Sequence, residues 1–284
     1  MSYLLLAVLC SASIALAFRW SEKQQMQRLT LTIGNYVVAT LVAGVLLIYR
    51  NSQTPIFRTH STELFAVMLL GVLTGALFFA TFMVYQRAVG SKGAPLAGAF
   101  AKMGTLVPMS LSLILWRESL SAFQYIGLGV ALLAMLLMSV SLEKLDWKKI
   151  HLLLWVLLLM GGLADFSNKI FQQHYSLELK EWFLWWIFFS ALIFSAFTQI
   201  LKKRSWHWAD LRWGLVIGVP NIFSSFFLIL ALNVLPASVV FPFFSTGTLL
   251  AIQTTTHWIY KERLNSQEMW GFLLAIGALF LLNF

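Results

Sequence analysis

Long apolar segments alternate with short polar interruptions along the whole chain. Each apolar segment is 18–24 residues long, and a helix of roughly 20 apolar residues spans the hydrocarbon core of a bilayer. The pattern therefore predicts an all-α, polytopic membrane protein with ten transmembrane helices. The ten predicted segments are 2–20, 29–49, 63–86, 94–116, 121–141, 150–172, 181–201, 210–233, 236–259 and 266–283.

Two of the polar interruptions resemble each other. The sequence WRESLSAFQYIG occupies 116–127, and YKERLNSQEMWG occupies 260–271. The matched residues are Glu118 with Glu262, Leu120 with Leu264, and Gly127 with Gly271.

This match divides the chain into two five-segment halves, 1–142 and 147–284. Because five is an odd number, the second half enters the membrane from the opposite side. Inverted repeats of this kind are typical of alternating-access transporters, whose binding sites lie near the midplane between the halves. Chance similarity among Leu-rich helices is the alternative interpretation.

The composition excludes an ordinary soluble domain, because 60% of the residues are hydrophobic and only 11% are charged. The net charge of +9 does not indicate a nucleic-acid partner, since most Lys and Arg residues lie in short interhelical loops. Fourteen basic residues fall in the loops after segments 1, 3, 5, 7 and 9, against five on the other side. The positive-inside rule therefore predicts that both termini lie outside the cytoplasm.

The Pro-containing fourth segment, the turn with Glu118 and Leu120, and the glycine-bearing fifth segment with Gly127 and Gly129 resemble the end of an EamA-type unit. Two such five-helix units form the ten-helix members of the drug/metabolite transporter superfamily. One departure is visible, because Ile252 stands where the second half would match Pro108.

The resemblance implies a multi-pass protein of the plasma or inner membrane that carries a small organic solute such as an amino acid, amine, drug or other metabolite. It also implies a cavity lined mainly by segments 1, 3, 4, 6, 8 and 9. Many relatives have cytoplasmic termini, so the resemblance and the charge count disagree about orientation.

Two ionisable residues lie well inside predicted segments, where a charge is costly and tends to face a cavity or a partner. Lys102, in GAFAKMGT, is a candidate contact for a carboxylate. A lysine that snorkels or pairs structurally is the alternative. Asp165, in GGLADFSNKIF, is a candidate for solute binding or for proton coupling. A structural pair with Lys169, four residues later, is the alternative.

Uncharged polar and aromatic residues complete the candidate binding set. Asn168 follows Asp165 on the sixth segment, Asn221 follows Pro220 on the eighth, and Ser245 and Thr248 share a face of the ninth. Helical Ser and Thr often bond only to their own backbone, which is the alternative. Aromatic walls are expected from Tyr85, Phe78, Phe82, Phe241 and Phe244, with ordinary packing as the alternative.

The sequence favours a secondary active transporter that works by alternating access, with protons as a candidate coupling ion. The alternatives are an integral-membrane enzyme and a non-transporting scaffold. No HExxH spacing, nucleophile elbow or P-loop is present, so we expect no enzyme activity, cofactor or metal. We expect a small-molecule substrate and the lipid bilayer as partners, and either a monomer or a homodimer. Glu118 and Glu262 lie beside Arg117, Lys261 or Arg263 at helix ends, and they are expected to fix the turns between the last two helices of each half.

Overall fold

The computed structural model describes residues 1–92, 94–139, 152–203, 206–261 and 265–283. All regular elements in these ranges are helices. A 3-10 turn at Leu177–Leu179 precedes α9. The α-helices are α1 (Ser2–Lys23), α2 (Arg28–Gln53), α3 (Ile56–Thr59), α4 (Leu64–Lys92), α5 (Ala94–Met103), α6 (Leu106–Leu115), α7 (Ala122–Ser139), α8 (Leu152–His174), α9 (Lys180–Leu201), α10 (Trp208–Val234), α11 (Ala237–Tyr260) and α12 (Ser266–Leu281).

The helices have the lengths and composition of membrane spans. Within the described ranges, seven helices are long and apolar enough to cross a bilayer. Three shorter apolar stretches lie at Phe100–Leu115, which covers the end of α5 and all of α6, at Ala122–Met138 and at Ser266–Leu281. The prediction of an all-α, multi-pass membrane protein is therefore confirmed.

The predicted segment 94–116 is interrupted between α5 and α6. Pro108 has no N–H to donate to the carbonyl of Gly104, and this carbonyl instead accepts from the N–H of Val107 at 3.0 Å. A Cβ on Gly104 would lie only 3.0 Å from the Leu158 oxygen and 3.2 Å from the Gly162 nitrogen of α8. The glycine therefore allows the interrupted helix to pack closely against α8.

The two similar interruptions in the sequence also fold alike. Arg117 and Lys261 follow α6 and α11 and have left-handed backbones, with φ of 50° and 52°. A reciprocal capping pair then begins each following helix. Ser121 and Gln124 exchange hydrogen bonds of 3.0 and 3.2 Å at the start of α7, and Asn265 and Glu268 form the capping box of α12.

Two pairs of helices that are far apart in the sequence, α7 with α12 and α2 with α9, pack antiparallel to each other. Gly127 near the start of α7 lies against Leu281 at the end of α12, whereas Gly271 near the start of α12 lies against Met138 at the end of α7. Helix α2 crosses α9 in the same antiparallel manner. Its first turn, at Thr30, bonds to Gln199 near the end of α9, and its last turn, at Arg50, bonds to Glu178 just before α9.

We call the end of the bundle that contains Met1 the N-terminal face, and the other end the opposite face. Helices α2, α6, α8, α10 and α12 end at the N-terminal face. Toward this face, α1, α10 and α11 bury a continuous apolar cluster. Its members include Leu4, Ala7, Val8, Leu228, Leu232, Val240 and Phe241.

Candidate solute-binding cavity

A cavity of about 350 Å³ lies inside the bundle, between its centre and the opposite face. Six helices contribute to its lining: α1, α2, α4, α5, α8 and α10. Its polar lining residues are Thr32, Asn35, Tyr36, Thr81, Tyr85, Asp165 and Asn221. The predicted residues Asp165, Asn221 and Tyr85 are thus brought together in one cavity.

Paired glycines on α8 position Asp165. A Cβ on Gly162 would overlap with the Gly104 carbonyl and with the Val107 side chain. The absence of this Cβ therefore allows the junction of α5 and α6 to pack directly against this turn of α8. Neighbouring Gly161 lines the cavity, and the nearest atom to a Cβ there is the Thr81 methyl at 3.6 Å. Asp165 follows one turn later, so its half-buried carboxylate enters the open space beside the glycines.

Lys102 lies in the last turn of α5, directly before the interruption at Gly104. The close packing of α5 against α8 brings its charge within electrostatic range of Asp165. Ala101, its neighbour, lines the cavity. Opposite charges at membrane depth offset part of each other's desolvation cost, so the pair can persist where either charge alone would be costly.

A second polar pair joins α2 to α10. Gly34 and Gly214 face each other so closely that a Cβ on either would overlap with backbone oxygen of the other helix. This contact brings Asn221, two turns after Gly214, to Asn35. The Asn221 Nδ2 donates to the Asn35 Oδ1 at 2.9 Å, and both residues line the cavity.

Aromatic side chains form much of the remaining wall. Phe18, Phe78, Phe82 and Tyr85 line the cavity beside the polar groups. The Thr81 hydroxyl, on the same helix as three of these residues, is buried without a hydrogen-bond partner in the described part of the chain. The cavity therefore offers both an apolar surface and an unused polar group.

A second cavity, of about 300 Å³, continues toward the opposite face. It shares Phe18, Phe82 and Tyr85 with the first cavity. Its outer lining contains Arg19, Glu22 and Arg28, all near the end of α1 or the start of α2. We call this charged second cavity the vestibule.

Other predicted residues lie outside the cavity lining. Asn168 is only 1% exposed, and its Nδ2 donates to the Ala164 carbonyl of its own helix at 3.5 Å. Ser245 and Thr248 are buried on α11, where the Thr248 hydroxyl bonds to the Phe244 carbonyl at 2.6 Å. Phe241 belongs to the apolar cluster toward the N-terminal face. The lining thus includes the second predicted segment and not the ninth.

The structure gives partners to two charged residues whose contacts the sequence left open. Lys169 does not turn back to Asp165 but bonds to Glu118 at 3.1 Å and to the Gln172 Oε1 at 2.8 Å. Glu118 does not pair with Arg117, which is exposed. The left-handed backbone at Arg117 reverses the chain and turns Glu118 into the bundle. Glu262, Arg263 and Leu264 lie outside the described residues.

Sequence reasoning missed the contribution of α2, namely Thr32, Asn35 and Tyr36. The available signal was the pair Thr32 and Asn35, polar residues spaced three apart in an otherwise apolar segment. Among the described residues, no three His, Cys, Asp or Glu side chains come together as a metal site would require.

Known proteins resemble the chain in fold and sequence. A solved crystal structure, titled only as that of a protein, superposes with a TM-score of 0.78 at 14% identity, covering 98% of this chain and 94% of its own. An uncharacterized protein of Haemophilus influenzae is 20% identical over all of this chain and 98% of its own length.

A shorter relative covers only part of the chain. The probable 4-amino-4-deoxy-L-arabinose-phosphoundecaprenol flippase subunit ArnE of Pseudomonas fluorescens is 28% identical over 34% of this chain and 95% of its own length. Residues 1–140 and 148–284 both match the sequence profile of the EamA-like transporter family. The chain therefore belongs to the EamA-like transporter family, within the drug/metabolite transporter superfamily.

Proposed function

We propose that the protein is a secondary active transporter that carries a small organic solute through the cavity by alternating access. The observation that carries this proposal is a cavity in the interior of the bundle, lined by six helices and containing Asp165 and Asn221. Such a cavity within membrane helices is where a carrier needs its solute, out of contact with lipid.

We further propose ten membrane spans, arranged as inverted repeats of residues 1–142 and 147–284. The repeated turns at Arg117 and Lys261, each followed by a capping pair, support this arrangement. The antiparallel packing of α7 against α12, and of α2 against α9, supports it as well. A twofold axis in the membrane plane relates corresponding helices in this way.

The chemistry of the cavity favours a solute with a charged or strongly polar head and an apolar part. Asp165 provides a carboxylate in the lining, with Lys102 within electrostatic range behind it, and the Asn35–Asn221 pair provides amide donors and acceptors. Phe78 and Phe82 supply an apolar wall. A proton held by Asp165 in one step and released in another is the simplest coupling to an ion gradient.

A ligand screen tests this proposal. The purified protein is heated with amino acids, amines, nucleosides and 4-amino-4-deoxy-L-arabinose, and melting temperature is recorded. A ligand that binds only the folded state stabilises it by RT ln(1 + L/Kd), where L is the free ligand concentration, and this raises the melting temperature. We expect at least one class to produce a shift that Asp165→Asn removes.

The matched control is Glu178→Gln, which also neutralises an acid but lies at the N-terminal face beside Arg50. This variant is expected to keep the ligand-induced shift. A ligand that stabilises the native protein and Asp165→Asn equally would exclude the cavity as its binding site.

A further inference from the structure

Glu118 is a buried anion that joins three helices at the N-terminal face. It follows α6, and only 10% of its side chain is exposed. Its Oε1 accepts from the Ala237 N–H at 3.1 Å, and its Oε2 accepts from the N–H and hydroxyl of Ser238 at 2.9 and 2.7 Å. Lys169 of α8 adds an ion pair at 3.1 Å. One carboxylate thus holds the ends of α6, α8 and α11 together.

The carboxylate replaces the cap that α11 lacks. Pro236 occupies the N-cap position and provides no side-chain hydrogen bond to the helix. The first N–H groups of a helix have no partners within the helix and carry partial positive charge, so an anion stabilises them. Helix α11 therefore obtains its cap from a residue more than a hundred positions earlier in the chain.

Lys169 depends on Glu118 in turn. Its side chain is only 6% exposed, and its ammonium group lies 5.5 Å from the centre of the Trp116 ring. Burial raises the pKa of Glu118, but the hydrogen bonds from Ser238, Ala237 and Lys169 outweigh it, so the pKa lies below its usual value. The Glu118 carboxylate is therefore charged near neutral pH, and separating it from the Lys169 ammonium group would require new partners for both.

The contacts of Glu118 lie where the bundle is tightly packed. The apolar cluster of α1, α10 and α11 fills this end, and Leu120 packs against it. The cavity and the vestibule lie on the other side of this cluster, toward the opposite face. A solute in the cavity could reach the N-terminal face only if this cluster opened, and α11, which Glu118 joins to α6 and α8, forms one side of it.

Several polar groups are buried on these three helices without a hydrogen-bond partner among the described residues. They are the Ser112 hydroxyl of α6, the Asn168 Oδ1 of α8 and the Thr246 hydroxyl of α11. Each such group has lost hydrogen bonds to water without gaining replacements, which disfavours the closed state. Separation of the helices would admit water to these groups, so an open state gains interactions that the closed state lacks.

We propose that Glu118 is the positioning residue that holds the N-terminal face closed, and that its bonds to Lys169 and to the start of α11 break whenever this face opens. This inference rests on the proposed transport function. The carboxylate does not contact the cavity. It acts by setting the populations of the two conformations, because a contact present in only one of them biases the equilibrium toward it.

Sided labelling of the cavity tests the inference without requiring a known solute. Cys10 is the only cysteine, so Cys10→Ala gives a background without thiols. Ala164→Cys then places one thiol in the cavity wall. A membrane-impermeant maleimide is added to sealed vesicles on one face at a time, and the two labelling rates are compared in this reporter and in the reporter with Glu118→Gln.

We expect Glu118→Gln to increase the ratio of labelling from the N-terminal face to labelling from the opposite face by about tenfold, as expected for loss of a charged hydrogen-bond partner. The matched control is Glu63→Gln at the same face, where the carboxylate lies 3.8 Å from the His60 Nδ1. It is expected to leave the ratio unchanged. Equal ratios in the Glu118→Gln and Glu63→Gln reporters would overturn the proposal.

A second variant separates closure from general stability. Adding Lys169→Met to Glu118→Gln removes the uncompensated buried charge, so the melting temperature is expected to recover in part. The labelling ratio is expected to remain shifted, because the contact with α11 is still weakened. Recovery of both quantities together would assign Glu118 a purely structural role. A shifted ratio without flux of any solute would instead contradict the transport function and leave the closing role intact.

Discussion

The two ends of the bundle each contain an acid–base pair, but the pairs differ in burial. At the N-terminal face, Lys169 and Glu118 meet at 3.1 Å with 6% and 10% of their side chains exposed. In the vestibule, Arg28 and Glu22 meet at 2.5 Å with 30% and 47% exposed. The buried pair also caps α11, whereas the vestibule pair lines a cavity. Similar charges thus join helices at the N-terminal face and line the vestibule at the opposite face.

The largest expected effect is on stability. Lys169→Ala leaves Glu118 buried without its cation, and breaking a buried pair costs about 3–5 kcal/mol. Arg28→Ala breaks an exposed pair, for which the cost is about 0–1 kcal/mol. Melting temperatures in one detergent should therefore fall clearly for Lys169→Ala and little for Arg28→Ala. Equal falls in melting temperature for the two variants would mean that the two ion pairs do not differ in burial.

Two substitutions of polar residues should distinguish the roles of the cavity and of the N-terminal face. Asn221→Ala leaves the Asn35 amide in the cavity without its partner, and we expect it to weaken binding of the identified solute about tenfold. Ser238→Ala removes a 2.7 Å hydrogen bond to Glu118 and should lower the melting temperature without weakening binding. Isothermal titration and thermal unfolding measure the two quantities. Asn233→Ala, at an exposed position on the same helix as Asn221, is the control.

Acid should weaken the N-terminal face through Glu118. Its pKa is lower in the folded protein than in the unfolded chain. Its contribution to stability is therefore complete above the unfolded carboxyl pKa of about 4.3 and is lost as the pH falls through the lower folded value. The gap in melting temperature between the native protein and Glu118→Gln should be widest near neutral pH and narrow below about pH 4. A constant gap across this range would contradict a charged Glu118.

The smallest expected effect concerns one hydroxyl of the cavity wall. Tyr85→Phe keeps the aromatic surface and removes only the hydroxyl, so we expect solute affinity to fall by a factor of about two to ten. Tyr125→Phe makes the same change at an exposed position on α7 and should have no effect. Affinities measured side by side distinguish a polar contact from simple packing.

Much of the fold could be predicted because apolar segment length is nearly sufficient to identify a membrane helix. Observed ends lie within a few residues of the predicted ones except at α4, which continues to Lys92. The interruption between α5 and α6 could also have been predicted from the sequence. Pro108 cannot donate a hydrogen bond to the carbonyl four residues earlier, and that residue is Gly104. The predicted counterpart of Pro108 is Ile252, and α11 is continuous there.

Only some residues of the candidate site could be predicted from the sequence. Asp165, Asn221 and Tyr85 could be selected because polar residues at membrane depth tend to face a cavity. The hydrogen-bond partners of the polar residues could not be predicted from the sequence. Glu118 bonds to residues about 120 positions later, and its adjacency to Arg117 in the sequence does not indicate them. Asn35 was missed because its importance depends on the close contact of Gly34 with Gly214, which sequence alone does not reveal.

Counterflow in proteoliposomes tests the central claim most directly. Vesicles are loaded with the solute identified by thermal shift, diluted into labelled solute, and sampled for uptake. We expect the native protein and Glu178→Gln to accumulate label, and Asp165→Asn to accumulate less than about a tenth as much, as for loss of a charged contact. Native uptake by Asp165→Asn, or no accumulation by the native protein, would contradict a carrier with its binding site in this cavity.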